Sequence, residues 1–259
     1  MPKTALRPGS VWDTGSTSPA LQIANRHIGA TRGDTALTPA IARHIITTYT
    51  ALGDTICDPN PGPGVVLAEA VRTGRDAVGL PTQPRWESAL EANLDLARLA
   101  GATGTTTLLD SVDDPRATEL PGAVDLVLTG LRHAPSSDPS QILVELYEDL
   151  DAVADWVWPG RHIVITCRPW RHRGRLLDLP DKIHDAANAI GLVPTEHCVA
   201  LTAPMRGNQI RPRITRVRSH PESFDHHGRP TAFPVHIDVL IFQVPPAGHH
   251  AAAPARSAA

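Results

Sequence analysis

From residue 54 onward, short runs rich in β-forming residues alternate with longer segments in which apolar residues recur every three or four positions. This alternation is typical of βαβ units, in which helices cover a mainly parallel sheet. The runs that we interpret as strands are 54–58, 76–80, 105–109, 124–129, 162–167, 198–202 and 235–244. The pattern therefore predicts an α/β fold.

The segments between these strands have the apolar stripes of helices that bury one face. Trp86, Leu90, Leu94 and Ala97 share one face of a helix predicted over 85–100. The helix after the fourth strand has a stripe formed by Leu143, Leu146, Leu150 and Val153. Further helices are predicted over 38–50, 65–75 and 179–192. Each stripe predicts contact with the sheet.

The chain has 259 residues, 41% of them hydrophobic, which is enough for one substantial core. We expect an N-terminal extension over 1–37, one domain over 38–245 with an Arg-rich insertion at 206–230, and a disordered Ala-rich tail at 246–259. No run reaches the roughly 18 apolar residues of a membrane span, and the first residues lack the apolar segment of a signal peptide. The expected location is therefore cytoplasmic.

The loop after the first predicted strand has the composition of a ligand-binding turn. The strand ends at Asp58, and PNPGPG at 59–64 leads directly into a helix. Open α/β sheets bind adenosine-containing ligands at such turns, where Gly62 and Gly64 let the backbone approach and the helix start favours an anion. The loop fits neither GxGxxG nor a P-loop, and its composition is equally compatible with a plain turn.

The sequence around this loop resembles a known family. Residues 38–80, TPAIARHIITTYTALGDTICDPNPGPGVVLAEAVRTGRDAVGL, are similar to the cofactor half of the DNA and RNA amino-methyltransferases, which include DNA N4 and N6 methylases and tRNA guanosine N2-methyltransferases. The resemblance extends over about 38–245. It implies a Rossmann-like class I methyltransferase fold, with a mainly parallel seven-stranded sheet and helices on both faces, and S-adenosylmethionine as cofactor.

The resemblance also assigns residues to that cofactor. It implies that Thr38 and Pro39 lie near the methionine end and that Asp110, after the third strand, approaches the adenine. The residues implied around the amino and carboxyl groups are Asp58, Asn60, Gly62 and Gly64. Pro81 replaces an acidic residue that holds the ribose in the family, and valines at 65–66 replace threonines. Lost hydrogen bonds, at about 0.5 to 1.5 kcal/mol each, predict cofactor binding weakened roughly tenfold.

The fourth strand of this family ends in Asp-Pro-Pro-Tyr or Ser-Pro-Pro-Tyr, which holds the amine of a flipped base and stacks on the base. The corresponding residues here are Gly130, Leu131, Arg132 and His133. Gly130 offers no side-chain acceptor, and only His133 keeps a planar ring. Three interpretations stay open: an active enzyme that uses Arg132 and His133, a pseudoenzyme that keeps the fold for binding, and a plain solvated loop.

Cysteine and histidine do not form a recognisable metal or disulfide pattern. The cysteines, Cys57, Cys167 and Cys198, are odd in number and widely spaced, which predicts reduced, buried thiols. Cytosine C5 methylation needs a thiolate, and Cys167 is the nearest candidate, but no Pro-Cys loop surrounds it and a buried core residue is the favoured interpretation. The His pairs at 226–227 and 249–250 lack partner ligands, so we predict no metal.

The insertion contains a run of basic residues. Its arginines are Arg206, Arg211, Arg213, Arg216 and Arg218. They are suited to tracking a phosphate backbone, and a solvated charged loop is an equal alternative. The predicted function is therefore methyl transfer from S-adenosylmethionine to a nucleic-acid base, with DNA ahead of RNA. The alternative is a catalytically impaired paralogue that acts by binding nucleic acid or a partner protein.

Overall fold

The computed structural model describes residues 9–24, 26–33, 36–80, 83–133, 137–212, 225 and 227–246. The strands are β1 (Val11–Trp12), β2 (Thr55–Asp58), β3 (Asp76–Gly79), β4 (Thr106–Leu108), β5 (Val124–Gly130), β6 (Val157–Cys167), β7 (Arg171–His172), β8 (Arg175–Leu176), β9 (Val193–Leu201), β10 (Met205–Arg206), β11 (Gln209–Ile210) and β12 (His236–Gln243). The α-helices are α1 (Pro19–Ala24), α2 (Pro39–Tyr49), α3 (Val65–Arg72), α4 (Glu87–Leu99), α5 (Pro139–Ala154) and α6 (Leu179–Ala189).

The main sheet has eight strands in the order β1-β9-β12-β6-β5-β2-β3-β4. All neighbouring pairs are parallel except those of β12, which is antiparallel to both β6 and β9. The predicted α/β fold with a mainly parallel sheet is confirmed. The eighth strand, β1, comes from the N-terminal extension and pairs Val11 with Val199 and Trp12 with Ala200.

Helices cover both faces of this sheet. On one face α2, α3 and α4 contribute Ile41, Leu67 and Leu90 to a buried cluster, whereas α5 and α6 contribute Leu150 and Ile183 to a second cluster on the other face. The predicted stripes are buried at Leu90, Leu94, Ala97, Leu146, Leu150 and Val153, whereas Trp86, just before α4, and Leu143 are half-buried. The apolar periodicity of the sequence therefore orients these helices correctly.

Local signals fix where several helices begin. Thr38 caps α2 by accepting a hydrogen bond from the backbone N–H of Ile41, and Pro39 occupies the first helical position. Asp138 caps α5 in the same way, again followed by proline. A side-chain acceptor before proline is favourable because the first turn has unpaired N–H groups and proline lacks one.

A buried carboxylate ties the N-terminal extension to the domain. Glu69 on α3 is fully buried and accepts hydrogen bonds from Arg26 at 2.8 and 2.9 Å. His27 lies 3.2 Å from the same carboxylate, and Arg72 pairs with it at 3.3 Å. Burial alone would raise the pKa of Glu69, but the hydrogen bonds from His27 and Arg26 bring it below its ordinary value.

The strands β2 to β6 and β9 point the same way, so they end at one edge of the sheet, which we call the carboxyl edge. Two small hairpins follow strands at this edge: β7–β8 after β6, and β10–β11 after β9. The β7–β8 hairpin corresponds to no element predicted from the sequence. Among the described residues, no helix is long and apolar enough to span a membrane.

Candidate functional site at the carboxyl edge

The loop 59–64 connects β2 to α3 and is shaped by its glycines. Asp58, at the end of β2, is fully buried, and its Oδ1 accepts a hydrogen bond from the backbone N–H of Asn60 at 3.1 Å. Gly62 and Gly64 have φ values of 51° and 80°, which L-residues with side chains rarely adopt. The loop thus turns sharply around the buried carboxylate before α3 begins.

The guanidinium of Arg132 lies directly on this loop. Its Nη1 donates to the carbonyl oxygens of Asn60 and Gly130, and its Nη2 donates to that of Pro61 at 3.3 Å. A Cβ added to Gly62 would lie 2.6 Å from Nε of Arg132. The positive φ favours glycine at 62, and Arg132 fills the concave side of the loop.

Little space remains beside Arg132. A cavity of about 20 Å³ lies between the loop, the end of β5 and α5. This volume holds about one water molecule. A ligand that occupies the concave side of Gly62 must displace the Arg132 side chain.

The other residues of the segment 130–133 have different surroundings. A Cβ on Gly130 would lie 2.9 Å from Cβ of Ala36 and 3.0 Å from Oγ1 of Thr166, so only glycine fits without rearrangement. Leu131 is buried in the core of the α5 side. The ring of His133 stacks on Trp170 with centroids 4.0 Å apart and planes 14° apart. One face of the His133 ring is consequently covered by protein.

The remaining predicted cofactor residues occupy separate places. Thr38 and Pro39 form the start of α2, and the preceding Ala36 lies against Gly130, which brings this segment to the carboxyl edge. Asp110 follows β4, two strands from β2, and its side chain is 99% exposed. Pro81 lies outside the described residues. The structure thus joins the loop, the start of α2 and the segment 130–133, with Asp110 at a distance.

Asp149 belongs to this site and was missed by our sequence interpretation. Its Oδ2 accepts a hydrogen bond from Nδ2 of Asn60 at 3.2 Å. Burial raises the pKa of Asp149 to about 6, and the negative charges of Asp58 and Glu145 act in the same direction. The signal was present, because a carboxylate three residues after Leu146 falls within the buried stripe of α5.

Asn93 on α4 was also missed, although it too lies among the buried apolar residues of its helix. It is fully buried, and its Nδ2 donates to the carbonyl oxygen of Pro63 at 2.7 Å and to Oγ1 of Thr31 at 2.8 Å. Its Oδ1 accepts from the backbone N–H of Ile28 at 2.8 Å. Asn93 therefore fixes the loop to the N-terminal extension.

The described arginines of the insertion are exposed, whereas the cysteines are buried. Arg206 and Arg211 are exposed at the β10–β11 hairpin, whereas Arg213, Arg216 and Arg218 lie outside the described residues. The three cysteines are buried and unpaired, as predicted. Burial, with the charge of Asp238, raises the pKa of the Cys167 thiol far above its ordinary value, which disfavours a thiolate there. No set of metal-binding side chains occurs in the described ranges.

Comparison with known proteins gives a likeness of fold. No protein-family model and no curated protein sequence matches the chain. TrmN from Thermus thermophilus aligns with a TM-score of 0.50 and 18% identity over 81% of this chain and 50% of that one, so the chain spans half the length of TrmN. Precorrin 8w decarboxylase from Methanobacterium thermoautotrophicum has a TM-score of 0.50 and 18% identity, covering 85% and 97% of the two chains. Geranyl diphosphate methyltransferase, solved with GPP and sinefungin, has a TM-score of 0.50 and 14% identity, covering 80% and 78%. The chain therefore has the Rossmann-like class I methyltransferase fold.

Proposed function

We propose that this chain binds S-adenosylmethionine at the carboxyl edge and transfers its methyl group to a nucleic-acid base, with DNA favoured over RNA. The observation that carries the proposal is the contact between the glycine loop 59–64 and the segment 130–133, at the ends of adjacent strands of a class I methyltransferase fold. The likeness to a methyltransferase solved with sinefungin supports the cofactor, and the likeness to TrmN supports a nucleic acid. The preference for DNA rests on the sequence resemblance of 38–80.

The residues at the loop fit this cofactor. Gly62 leaves a concave surface that a Cβ would fill, and the buried carboxylate of Asp58 is suited to the cofactor's amino group. The cofactor supplies a methyl group made electrophilic by the sulfonium to which it is attached. Arg132 covers this surface, so its side chain would leave the loop carbonyls when the cofactor binds. The carbonyl oxygen of Gly130 and the ring of His133 are the groups that hold the substrate amine and base.

A second function is favoured by the same region. Arg132 fills the loop, and the space at Gly130 excludes the side-chain acceptor of active amino-methylases. Both features suit a catalytically impaired paralogue that binds nucleic acid or a partner protein. In that case the fold is retained and the loop stays closed by its own arginine.

Calorimetry with S-adenosylmethionine and S-adenosylhomocysteine, followed by radiolabelled methyl incorporation into mixed DNA and RNA, distinguishes the two. The enzyme requires weak but measurable cofactor binding that Asp58→Ala reduces more than His133→Ala does. Transfer that falls at least tenfold in His133→Ala supports the proposed site. Cofactor binding without any transfer would favour the impaired paralogue, and no binding at millimolar cofactor would exclude the enzyme.

A further inference from the structure

The β7–β8 hairpin is built beside the candidate site and is anchored by a tryptophan. Trp170, just before β7, is fully buried, and its ring stacks on His133. The backbone N–H of Leu177, just after β8, donates to the carbonyl oxygen of Trp170 at 2.9 Å. Both ends of the hairpin are thus tied to the carboxyl edge of β6, next to the segment 130–133. The hairpin cannot move far without breaking the His133 stack.

This hairpin places three arginines within five residues. Arg173 and Arg175 are exposed, and Arg171 is half-buried. None of the three takes part in an ion pair within the described portion of the chain. The next acidic residue along the chain, Asp178, is used as the cap of α6. Because the whole chain has a net charge of −3, this concentration of arginine is local.

The turn itself argues against a purely structural role for these arginines. Arg173 and Gly174 have φ values of 51° and 74°, as in the two-residue turns for which Asn-Gly is strongly preferred. Arg173 is the one non-glycine residue with positive φ in the described ranges. An arginine in this conformation is less favourable than asparagine or glycine, so folding alone favours another residue there.

A second basic element lies on the same edge. The β10–β11 hairpin follows β9, which is separated from β6 only by β12. At about 4.8 Å between strands, the ends of β6 and β9 are about 10 Å apart. Arg206 and Arg211 are exposed on this second hairpin. The two hairpins therefore extend one basic rim along the carboxyl edge, starting at the candidate site.

We infer that this rim, with Arg171, Arg173 and Arg175 at its centre, binds the phosphodiester backbone of a nucleic acid and presents a base to the segment 130–133. The inference rests on the proposed function, whose substrate it locates. Arginine suits this role because its planar group donates in pairs to phosphate oxygens. Such contacts set the position of the strand and carry no sequence information.

The test compares two double variants that remove the same charge. Arg173→Gln/Arg175→Gln alters the hairpin. The control, Arg98→Gln/Arg161→Gln, alters two ion-paired arginines at the opposite edge of the sheet, of which Arg98 is exposed and Arg161 half-buried. Fluorescence anisotropy measures binding to labelled oligonucleotides of about 20 nucleotides, as single-stranded RNA, single-stranded DNA and duplex DNA, between about 50 and 200 mM salt. Thermal melts check that both variants are folded.

Two lost phosphate contacts reduce the slope of log K against log salt by about 1.4 for single strands and about 1.8 for duplex. Affinity for single strands at about 0.1 M salt should fall roughly 25-fold in the hairpin variant and change little in the control. Equal losses in both variants, an unchanged slope, or a wild-type protein that binds no oligonucleotide would each overturn the inference. Binding to polyglutamate instead of oligonucleotides would also overturn it and indicate an acidic protein partner.

Calorimetry of the same hairpin variant with S-adenosylmethionine separates this inference from the proposed function. We expect cofactor affinity within about twofold of wild type, because the substituted side chains do not touch the loop 59–64. If the wild-type protein binds oligonucleotides through the hairpin but does not bind the cofactor, the inference about the basic rim stands and the proposed methyltransferase function is refuted. If the protein binds the cofactor and transfers methyl groups without using the hairpin, only the inference about the basic rim is refuted.

Discussion

Replacement of Arg132 by alanine should strengthen cofactor binding. In the structure its guanidinium donates to the carbonyl oxygens of Asn60, Pro61 and Gly130 and covers Gly62. A ligand that enters the loop must break these contacts. In Arg132→Ala the concave surface is already open, so the cost of displacement disappears.

The magnitude follows from the number of contacts. Arg132 is half-buried, so its guanidinium regains water when it leaves the loop, and the lower end of the range for a hydrogen bond, about 0.5 kcal/mol, applies to each of the three. The total of about 1.5 kcal/mol corresponds to roughly tenfold tighter binding. A new ion pair between displaced Arg132 and the cofactor carboxylate would offset at most about 1 kcal/mol of this, as is typical of solvent-exposed pairs. The expected gain in affinity therefore lies between about twofold and tenfold.

The assay is calorimetry with S-adenosylhomocysteine, which binds without reacting, on wild type, Arg132→Ala and Arg132→Lys. We expect intermediate affinity for Arg132→Lys, because lysine keeps the charge but cannot reach several carbonyls at once. Asp58→Ala in the Arg132→Ala background should remove the gain. Weaker binding by Arg132→Ala would refute the reasoning and identify Arg132 as a ligand of the cofactor that does not obstruct the loop.

Three further predictions concern pH and stability. Because the pKa of Asp149 is raised from 3.8 to about 6, the folded protein keeps this proton to a higher pH than the unfolded chain does, and the free energy of unfolding should fall as pH rises from about 4 to 6. Asp149→Asn should remove this pH dependence and raise the free energy of unfolding at pH 7.5 by up to roughly 3 kcal/mol, measured by urea denaturation. Identical pH profiles for the variant and the wild type would contradict this prediction. Glu69→Ala should lower the free energy of unfolding by about 3 to 5 kcal/mol, because it leaves buried cations without their carboxylate, and Glu69→Gln is the milder control. A loss below about 1 kcal/mol would contradict the buried network. Gly130→Ser should lower the free energy of unfolding by about 1 to 3 kcal/mol, because the added side chain contacts Ala36 and Thr166. An unchanged melting temperature would contradict this prediction and show that the segment 130–133 shifts without loss of stability.

The regular part of the fold was predictable because periodicity and caps agreed. The strand predicted over 124–129 is observed as Val124–Gly130, and the helix predicted over 38–50 as Pro39–Tyr49. In contrast, β1 is only two residues long and depends on its pairing with β9, so no local period announces it. The β7–β8 hairpin was missed because arginine is unusual at a turn that needs positive φ.

Three polar residues lie at helix positions that the sequence interpretation did not single out. Asp149, Asn93 and Glu69 each occupy a helix position among buried apolar residues, where an ionisable or amide side chain is costly unless it is bonded. All three are hydrogen-bonded, and two of them contact the loop 59–64. A polar residue within a buried stripe therefore indicates a partner elsewhere in the chain, although only the tertiary structure identifies it.

The changes in the segment 130–133 are coupled in a way that sequence alone does not reveal. Glycine at 130 allows Ala36 to pack against β5, which leaves no room for the aspartate or serine that amino-methyltransferases have at the corresponding position. Arginine at 132 reaches Gly62, so two positions that are 70 residues apart form one contact. Restoring Ser-Pro-Pro-Tyr at these positions would open the loop by removing Arg132 but crowd Ala36 by adding a side chain at 130. A substitution meant to open the loop should therefore be made at 132, with glycine kept at 130.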